Sequence, residues 1–319
     1  MKKIAMLTSG GDAPGMNAAI RAVLRRGMSL GMEVYGIDRG YEGLLDGDIR
    51  QLEWKNGGDI LQRGGTILRT ARSSRFMEDK WIDHAADVLR TFGIEGLVVI
   101  GGDGSFRGGV ELAKRGILVM GVPATIDNDL GYTDFTIGFD TAVNNVLDLI
   151  GKIRDTSSSH ERATIIEVMG RHCGDIALFA GLTGGADVIL VPEVKMELND
   201  ICVKVLRGQN SGKGHSIIVK AEGFELPLEK LRSAVEEMTG RETRTVIPGY
   251  IQRGGSPSSY DRMMASLMGA KAAELLFNDE DSRAVGIIGP EVVAPPLAEA
   301  LKQKRPFRKD MYELSQIIS

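Results

Sequence analysis

Cysteine and histidine are scarce in this chain: Cys173 and Cys202 are the only thiols, and His84, His160, His172 and His215 the only imidazoles. Neither set falls at metal-ligand spacing, so there is no ligand set for a zinc hydrolase and no disulfide framework. The expectation is two reduced thiols in a cytoplasmic protein that carries no signal peptide. Long apolar runs are missing too, and none approaches the ~18 residues that a membrane span needs. There is no excess of positive charge either, because 39 Lys and Arg stand against 43 Asp and Glu, a balance of −4. That argues against nucleic acid as a partner, and any anionic ligand must be held by arginines gathered locally.

Glycine, by contrast, is plentiful. The chain has 41 in 319 residues, about 13% against a typical ~7%. Many come in pairs after apolar runs, as at Gly10-Gly11, Gly64-Gly65, Gly101-Gly102 and Gly254-Gly255. Such pairs permit tight turns and close approach of backbone to a ligand. A length of 319 residues suggests two domains with ample core.

The stretch 96–129 organises the rest. Residues 97–100 and 117–120 are short, β-branched apolar runs, and 105–115 between them has helical character. Strand, helix and strand make a parallel pair, and ligands in such sheets bind beyond the carboxyl ends of the strands. At one end lies GGDGS (101–105), whose bare backbone N–H groups and helix start suit a phosphate, with Asp103 suited to magnesium. At the other end lies PATIDND (123–129), with Asp127 and Asp129 beside the hydroxyl of Thr125. Together they suggest a metal–phosphate site with a general base beside it.

Elsewhere, KIAMLT (3–8) reads as a strand that breaks into a second glycine turn and a helix. Arg21 and Arg25 share a face of that helix, either as a solvated stripe or as an anion site. Tyr41 falls in a glycine-rich loop after a strand at 33–37. Arg72 is either a phosphate clamp or a surface arginine. Residues 139–154 carry a helical stripe, after which strands at 163–168, 188–191 and 216–221 suggest a second α/β layer. Residues 245–247 read as a further strand, and 306–319 as a packed helix. The run GQNSGKG (208–214) lacks the spacing of a phosphate-binding Walker loop, and no protein-kinase motif set is present.

The conjunction of TSGGDAPGMNAAIR (8–21), VVIGGDGS (98–105), TIDND (125–129), RDTSSSHER (154–162), EVMGRHCGD (167–175) and IQRGGSP (251–257) resembles the bacterial ATP-dependent 6-phosphofructokinase family. The likeness runs along nearly the whole chain and in that family's order. It implies an α/β fold of two doubly wound, Rossmann-like lobes with the active site in the cleft between them. An ATP-binding lobe would comprise residues 1–138 and 257–305, and a fructose 6-phosphate-binding lobe residues 139–256 and 306–319. The implied reaction transfers the γ-phosphate of ATP to the 1-hydroxyl of fructose 6-phosphate, with Mg²⁺ held at Asp103. Asp127 would be the general base, with Gly11, Arg72, Thr125 and Arg171 stabilising the transferred group. The nucleotide would lie against Gly11, Tyr41, Arg72, Ser73, Gly102, Asp103, Gly104 and Ser105. For the sugar phosphate the resemblance implicates Thr125, Ile126, Asp127, Met169, Gly170, Arg171, Glu222, Tyr250, Ile251, Gln252 and Arg253. Arg162 and Arg244, which have no evident partner in their own motifs, would reach the site of a neighbouring subunit in a homotetramer.

ADP and phosphoenolpyruvate are the implied effectors, at Arg21, Arg25, Arg154, Gly185, Asp187, Ser211 and Lys213. Four positions depart from the family pattern. Tyr250 stands where histidine is common and Ala124 where glycine is common, while Trp54 and Ser211 occupy places that are often basic. The last two imply weak regulation. Gly104 and Ala124 favour ATP over pyrophosphate as donor. The alternatives are a relative using pyrophosphate or a different acceptor such as tagatose 6-phosphate, and a nucleotide sensor without turnover.

Overall fold

The computed structural model describes residues 2–318. They divide into two units. The first holds the residues up to Ile126, Leu130–Thr141 and Arg253–Arg305; the second holds Asp127–Asp129, Ala142–Gln252 and the stretch from Pro306 on.

In the first unit the chain runs β1 (Lys3–Ser9), α1 (Met16–Ser29), β2 (Glu33–Ile37), α2 (Gly40–Asp46), β3 (Ile49–Gln51), α3 (Asp79–Thr91), β4 (Gly96–Gly101), α4 (Asp103–Ala113) and β5 (Leu118–Pro123). The strands form one sheet in the order β10-β5-β4-β1-β2-β3, where β10 is the short return strand Arg283–Ala284. Only β3 runs antiparallel. All six residues of β4 are buried, as a strand covered by helices on both faces requires. The central strand and helix therefore begin slightly before the positions expected from sequence. The apolar residues fix where a strand must run, while the flanking glycines decide how far it extends.

The second unit carries most of α5 (Phe139–Ser159), then β6 (Ala163–Val168), α6 (Asp175–Thr183), β7 (Val188–Leu190), α7 (Leu198–Asn210), β8 (Ser216–Ala221), α8 (Leu228–Thr239) and β9 (Thr243–Val246). Its sheet, β7-β8-β6-β9, is parallel throughout. Ala163, Ile165, Val188, Leu190 and Ile218 form its core with Ile201, Val205, Leu231 and Val235 from the covering helices α7 and α8.

The chain then returns to the first unit in α9 (Ser259–Phe277), followed by a small hairpin of β11 (Gly286–Ile288) and β12 (Glu291–Val293) and a short α10 (Leu297–Ala300). Helix α11 (Lys309–Ile318) lies in the second unit. Helix α9 packs closely on α1 because both present small residues there. A Cβ at Gly269 would meet the Ala19 carbonyl oxygen at 2.8 Å and the Ala22 Cβ at 2.9 Å. The start of α9 also holds the start of α5. The carboxylate of Asp261, 1% exposed, accepts bonds from Gly138 N (2.7 Å), Thr141 N (2.8 Å) and the Thr141 hydroxyl (2.5 Å). It thereby satisfies backbone donors that a helix N-terminus leaves open.

Candidate active site

The register of the first sheet brings three strand ends together. Ser9 lies opposite Gly101, and Gly101 opposite Pro123. The turns that leave these strands are therefore gathered on one edge: Gly10-Gly11 after β1, Gly102-Asp103 after β4, and Ala124-Thr125 after β5. Close approach there depends on missing side chains. A Cβ at Gly101 would lie 2.5 Å from the Ser9 carbonyl oxygen, and one at Gly11 would lie 2.7 Å from Arg253 Nη1. The guanidinium of Arg253 thus rests on the β1 turn, within the first unit.

Asp103 opens α4 and accepts from Arg107 Nε at 2.8 Å. Among the described residues no group of three or more His, Cys, Asp or Glu is arranged to hold a metal. A single carboxylate at a phosphate-sized glycine turn is nevertheless the donor set magnesium takes when substrate phosphates and waters supply its remaining ligands. Gly104 is exposed, and a Cβ there would meet nothing within 4 Å. Ser105 is buried, and its carbonyl accepts from the Tyr41 hydroxyl at 2.5 Å.

Tyr41 corrects an expectation. It lies in helix α2, not in a loop, and its buried ring stacks on Phe76 at 4.1 Å. Burial pushes its phenol far above the usual range, so it is a neutral donor that braces the first turn of α4. The glycines around it, which suggested a loop, serve as the left-handed cap after the helix (Gly47, φ 73) and as a close contact (Gly43). Arg72 is exposed in an irregular segment, and the hydroxyl of the adjacent Ser73 accepts from Phe76 N at 3.2 Å. Thr125 is half-buried, its carbonyl accepting from the Thr136 hydroxyl at 2.6 Å, and Ile126 is buried.

In the second unit Asp127 is 2% exposed, and the Arg171 guanidinium lies 3.2 Å from its Oδ2. Asn128 adopts a left-handed conformation (φ 52) and donates to Asp175 Oδ2 at 2.8 Å, at the first turn of α6. Asp175 thereby helps hold the turn that carries Asp127. Met169, Gly170 and Arg171 come after β6, and two side chains clamp them. Glu222 accepts from Gly170 N (3.1 Å) and Arg171 N (2.7 Å). Gln252, 1% exposed, accepts from Met169 N (3.0 Å) and donates to the Gly249 carbonyl (3.1 Å). A cavity of about 170 Å³ opens here, walled by Glu167, Met169, Glu222, Ile247, Tyr250 and Gln252 among others. Tyr250 and Ile251, in the turn Gly249–Arg253, are 81% and 68% exposed.

Arg162 and Arg244 do have a partner, contrary to expectation. Glu242 accepts from Arg162 Nε at 2.6 Å and pairs as well with Arg244. The hydrogen bond from Arg162, helped by the charges of both arginines, holds its carboxyl below the ordinary range. A parallel pairing of β6 with β9 sets Thr164 opposite Arg244, so 162 and 244 share a sheet edge that their separation in sequence conceals.

The positions assigned to effectors fall in both units. In the first, Trp54 is 55% exposed and its ring lies 3.6 Å from the guanidinium carbon of Arg25. Trp54 therefore covers one of the basic residues and does not merely omit a charge. In the second, Arg154 donates to the carbonyls of Gly184 and Gly185, and Lys213 pairs with Asp187, which also accepts from Ile217 N at 2.7 Å. The Ser211 hydroxyl donates back to Gly208 O at 2.9 Å on its own helix end. His215 lies beside them; burial lowers its pKa, and the charge of Arg154 adds to the effect.

Known proteins share this architecture. The family model for phosphofructokinase matches residues 3–276. ATP-dependent 6-phosphofructokinases of Clostridium acetobutylicum and Alkaliphilus metalliredigens are each 54% identical over 319 residues, covering all of this chain and all of theirs. Among solved structures, phosphofructokinase from Saccharomyces cerevisiae superposes with a TM-score of 0.93 at 33% identity, over 99% of this chain and 50% of the yeast chain. A pyrophosphate-dependent phosphofructokinase from Marinobacter aquaeolei shares the fold, with a TM-score of 0.87 at 22% identity over 97% of this chain and 86% of its own.

Proposed function

Because this chain belongs to the phosphofructokinase family, we propose that it transfers the terminal phosphoryl group of ATP to the 1-hydroxyl of fructose 6-phosphate, giving fructose 1,6-bisphosphate and ADP. The observation that carries the mechanism is Asp127, nearly inaccessible and 3.2 Å from the Arg171 guanidinium. Its carboxylate accepts the proton of the attacking hydroxyl as the new O–P bond forms and the bond to the leaving ADP oxygen breaks. Arg171 keeps that carboxylate oriented and, with Arg72 and Thr125, balances the charge that spreads over the transferred group. The glycine turns of the first unit take the nucleotide phosphates, and the loops after β6 and β8 take the sugar phosphate. Asp103 is the residue that would hold magnesium, which would supply charge neutralisation beside the phosphates. Glu222 and Gln252 shape the acceptor site by fixing the backbone of 169–171.

Open space at Gly104 supports ATP over pyrophosphate, since an α-phosphate fits there without meeting a side chain. Arg162 and Arg244 complete the acceptor site of a neighbouring subunit in a homotetramer. ADP and phosphoenolpyruvate act at the basic positions around Arg25 and Arg154, weakly because neither Trp54 nor Ser211 adds a cation there. A coupled assay for fructose 1,6-bisphosphate with ATP and Mg²⁺ tests the reading. Turnover with pyrophosphate as fast as with ATP, or none with fructose 6-phosphate, overturns it.

A further inference from the structure

Lysine is almost never fully buried unless paired. Lys220, one residue from the end of β8 in the second sheet, is 2% exposed. The register of β6 with β8 sets it directly opposite Glu167, and its ammonium donates to Glu167 Oε2 at 2.7 Å and to the Ala221 carbonyl at 3.2 Å. Glu167 is the more accessible partner, with 20% of its side chain exposed, and it is one of the residues that wall the cavity.

The charges around the cavity are unbalanced. Its wall contains two carboxylates, Glu167 and Glu222, and no lysine or arginine. Glu222 is compensated by two backbone N–H groups. Glu167 is compensated from behind the wall by Lys220. Without that cation, a cavity meant for a sugar phosphate would show an uncancelled negative charge to a phosphate dianion. Repulsion of that kind is weakly screened in a partly buried site.

We propose that Lys220 is a positioning residue for acceptor binding: it fixes Glu167 in one orientation and cancels its charge, so that the cavity offers a hydroxyl-accepting oxygen to the sugar without repelling its phosphate. This rests on the reading of the cavity as the acceptor site. Glu167 becomes a contact for a sugar hydroxyl, and Lys220 acts only through it. Neither residue takes part in the nucleotide site, so the effect is confined to one substrate.

The test uses the full-length enzyme with Lys220→Met and the double variant Glu167→Gln/Lys220→Met, assayed for KM of each substrate and for kcat. Lys220→Met raises KM for fructose 6-phosphate about tenfold or more while kcat and KM for ATP stay within about twofold. The double variant, having lost the uncancelled charge but kept an accepting oxygen, returns to within about threefold of the parent. Lys220→Gln keeps a donor for Glu167 and carries the same expectation if the methionine variant does not fold. The inference is overturned by a folded Lys220 variant with parental KM for fructose 6-phosphate. An equal rise in KM for ATP overturns it too, as does a double variant no better than Lys220→Met. A merely structural ion pair would lower thermal stability and leave the KM split absent. If the parent itself fails to phosphorylate fructose 6-phosphate, the function reading falls and takes this inference with it; if the parent succeeds and Lys220→Met matches it, the inference alone falls.

Discussion

The strand ends of the two units are built on opposite plans. In the first, the edge formed by β1, β4 and β5 depends on missing side chains: a Cβ at Gly101 would collide with the Ser9 carbonyl oxygen, and one at Gly11 with the guanidinium of Arg253. In the second, side chains reach across the backbone: Glu222 and Gln252 hold the loop after β6, Arg171 pairs with Asp127, and Lys220 on β8 pairs with Glu167 on β6. One edge fails when atoms are added and the other when atoms or charges are removed. On the proposed reading, the difference reflects what each edge binds. Triphosphate oxygens are satisfied by many equivalent N–H groups, whereas a sugar needs donors and acceptors at particular places.

The largest effect belongs to the second edge. Asp127→Ser lowers kcat by roughly 10²–10⁴-fold with little change in KM for fructose 6-phosphate, as loss of a general base requires; steady-state turnover near that of the parent would exclude the role. The next effect is on stability. Burial raises the Asp261 carboxyl to about 6, against the pull of its three donors, and the charge of Asp140 adds to the rise. A carboxyl raised in the fold contributes stability that is complete below its unfolded value, about pH 4, and is lost as pH rises through 6; the loss is about 3 kcal/mol. Melting curves of the parent and Asp261→Asn should therefore diverge in the variant's favour between about pH 4 and pH 7. A gap that does not change with pH sinks this. Gly101→Ala tests the first edge directly, because its Cβ would lie 2.5 Å from the Ser9 carbonyl oxygen, which cannot rotate away. We expect about 1–3 kcal/mol of destabilisation and weaker ATP binding; a variant with parental Tm and KM would mean that the glycines are not needed for fit. The smallest effect is at Trp54. Replacing it with alanine frees Arg25 from a contact of about 0.5–1 kcal/mol, and the shift in fructose 6-phosphate half-saturation caused by ADP should change by only a few-fold. A response that becomes much larger would show that Trp54 is the principal restraint on regulation.

These two plans also explain what could be read in the sequence. The β4–α4–β5 unit was legible because a buried parallel strand must be apolar on both faces and a glycine turn is contiguous. Residue types within about ten positions suffice to mark it. Tyr41 falls outside a loop although its glycines resemble one, because the backbone of Gly40–Asp46 is helical and its ring is buried against Phe76. Glu242 was missed as the shared partner of Arg162 and Arg244, and Lys220 as that of Glu167. Glu242 stands two residues from Arg244, but its pairing with Arg162, like that of Lys220 with Glu167, depends on strand register across more than fifty residues, about which local spacing says nothing. Asp261 carried a local signal, the S-x-x-D capping pattern from Ser258, but that signal points to its own helix and conceals its hold on α5.

Glu242 gives the arginines around it a resident occupant. On the proposed reading, a sugar phosphate arriving at Arg162 and Arg244 does not find two bare cations. It meets a carboxylate already seated between them. Binding is then an exchange of one anion for another, and the affinity measured is a difference between two holds, not the strength of one. Such an arrangement keeps both arginines ordered and mutually shielded when no ligand is near. It also favours incoming groups that carry more charge and more acceptor oxygens than a carboxylate, so a phosphate ester is admitted where a simple organic acid gains nothing.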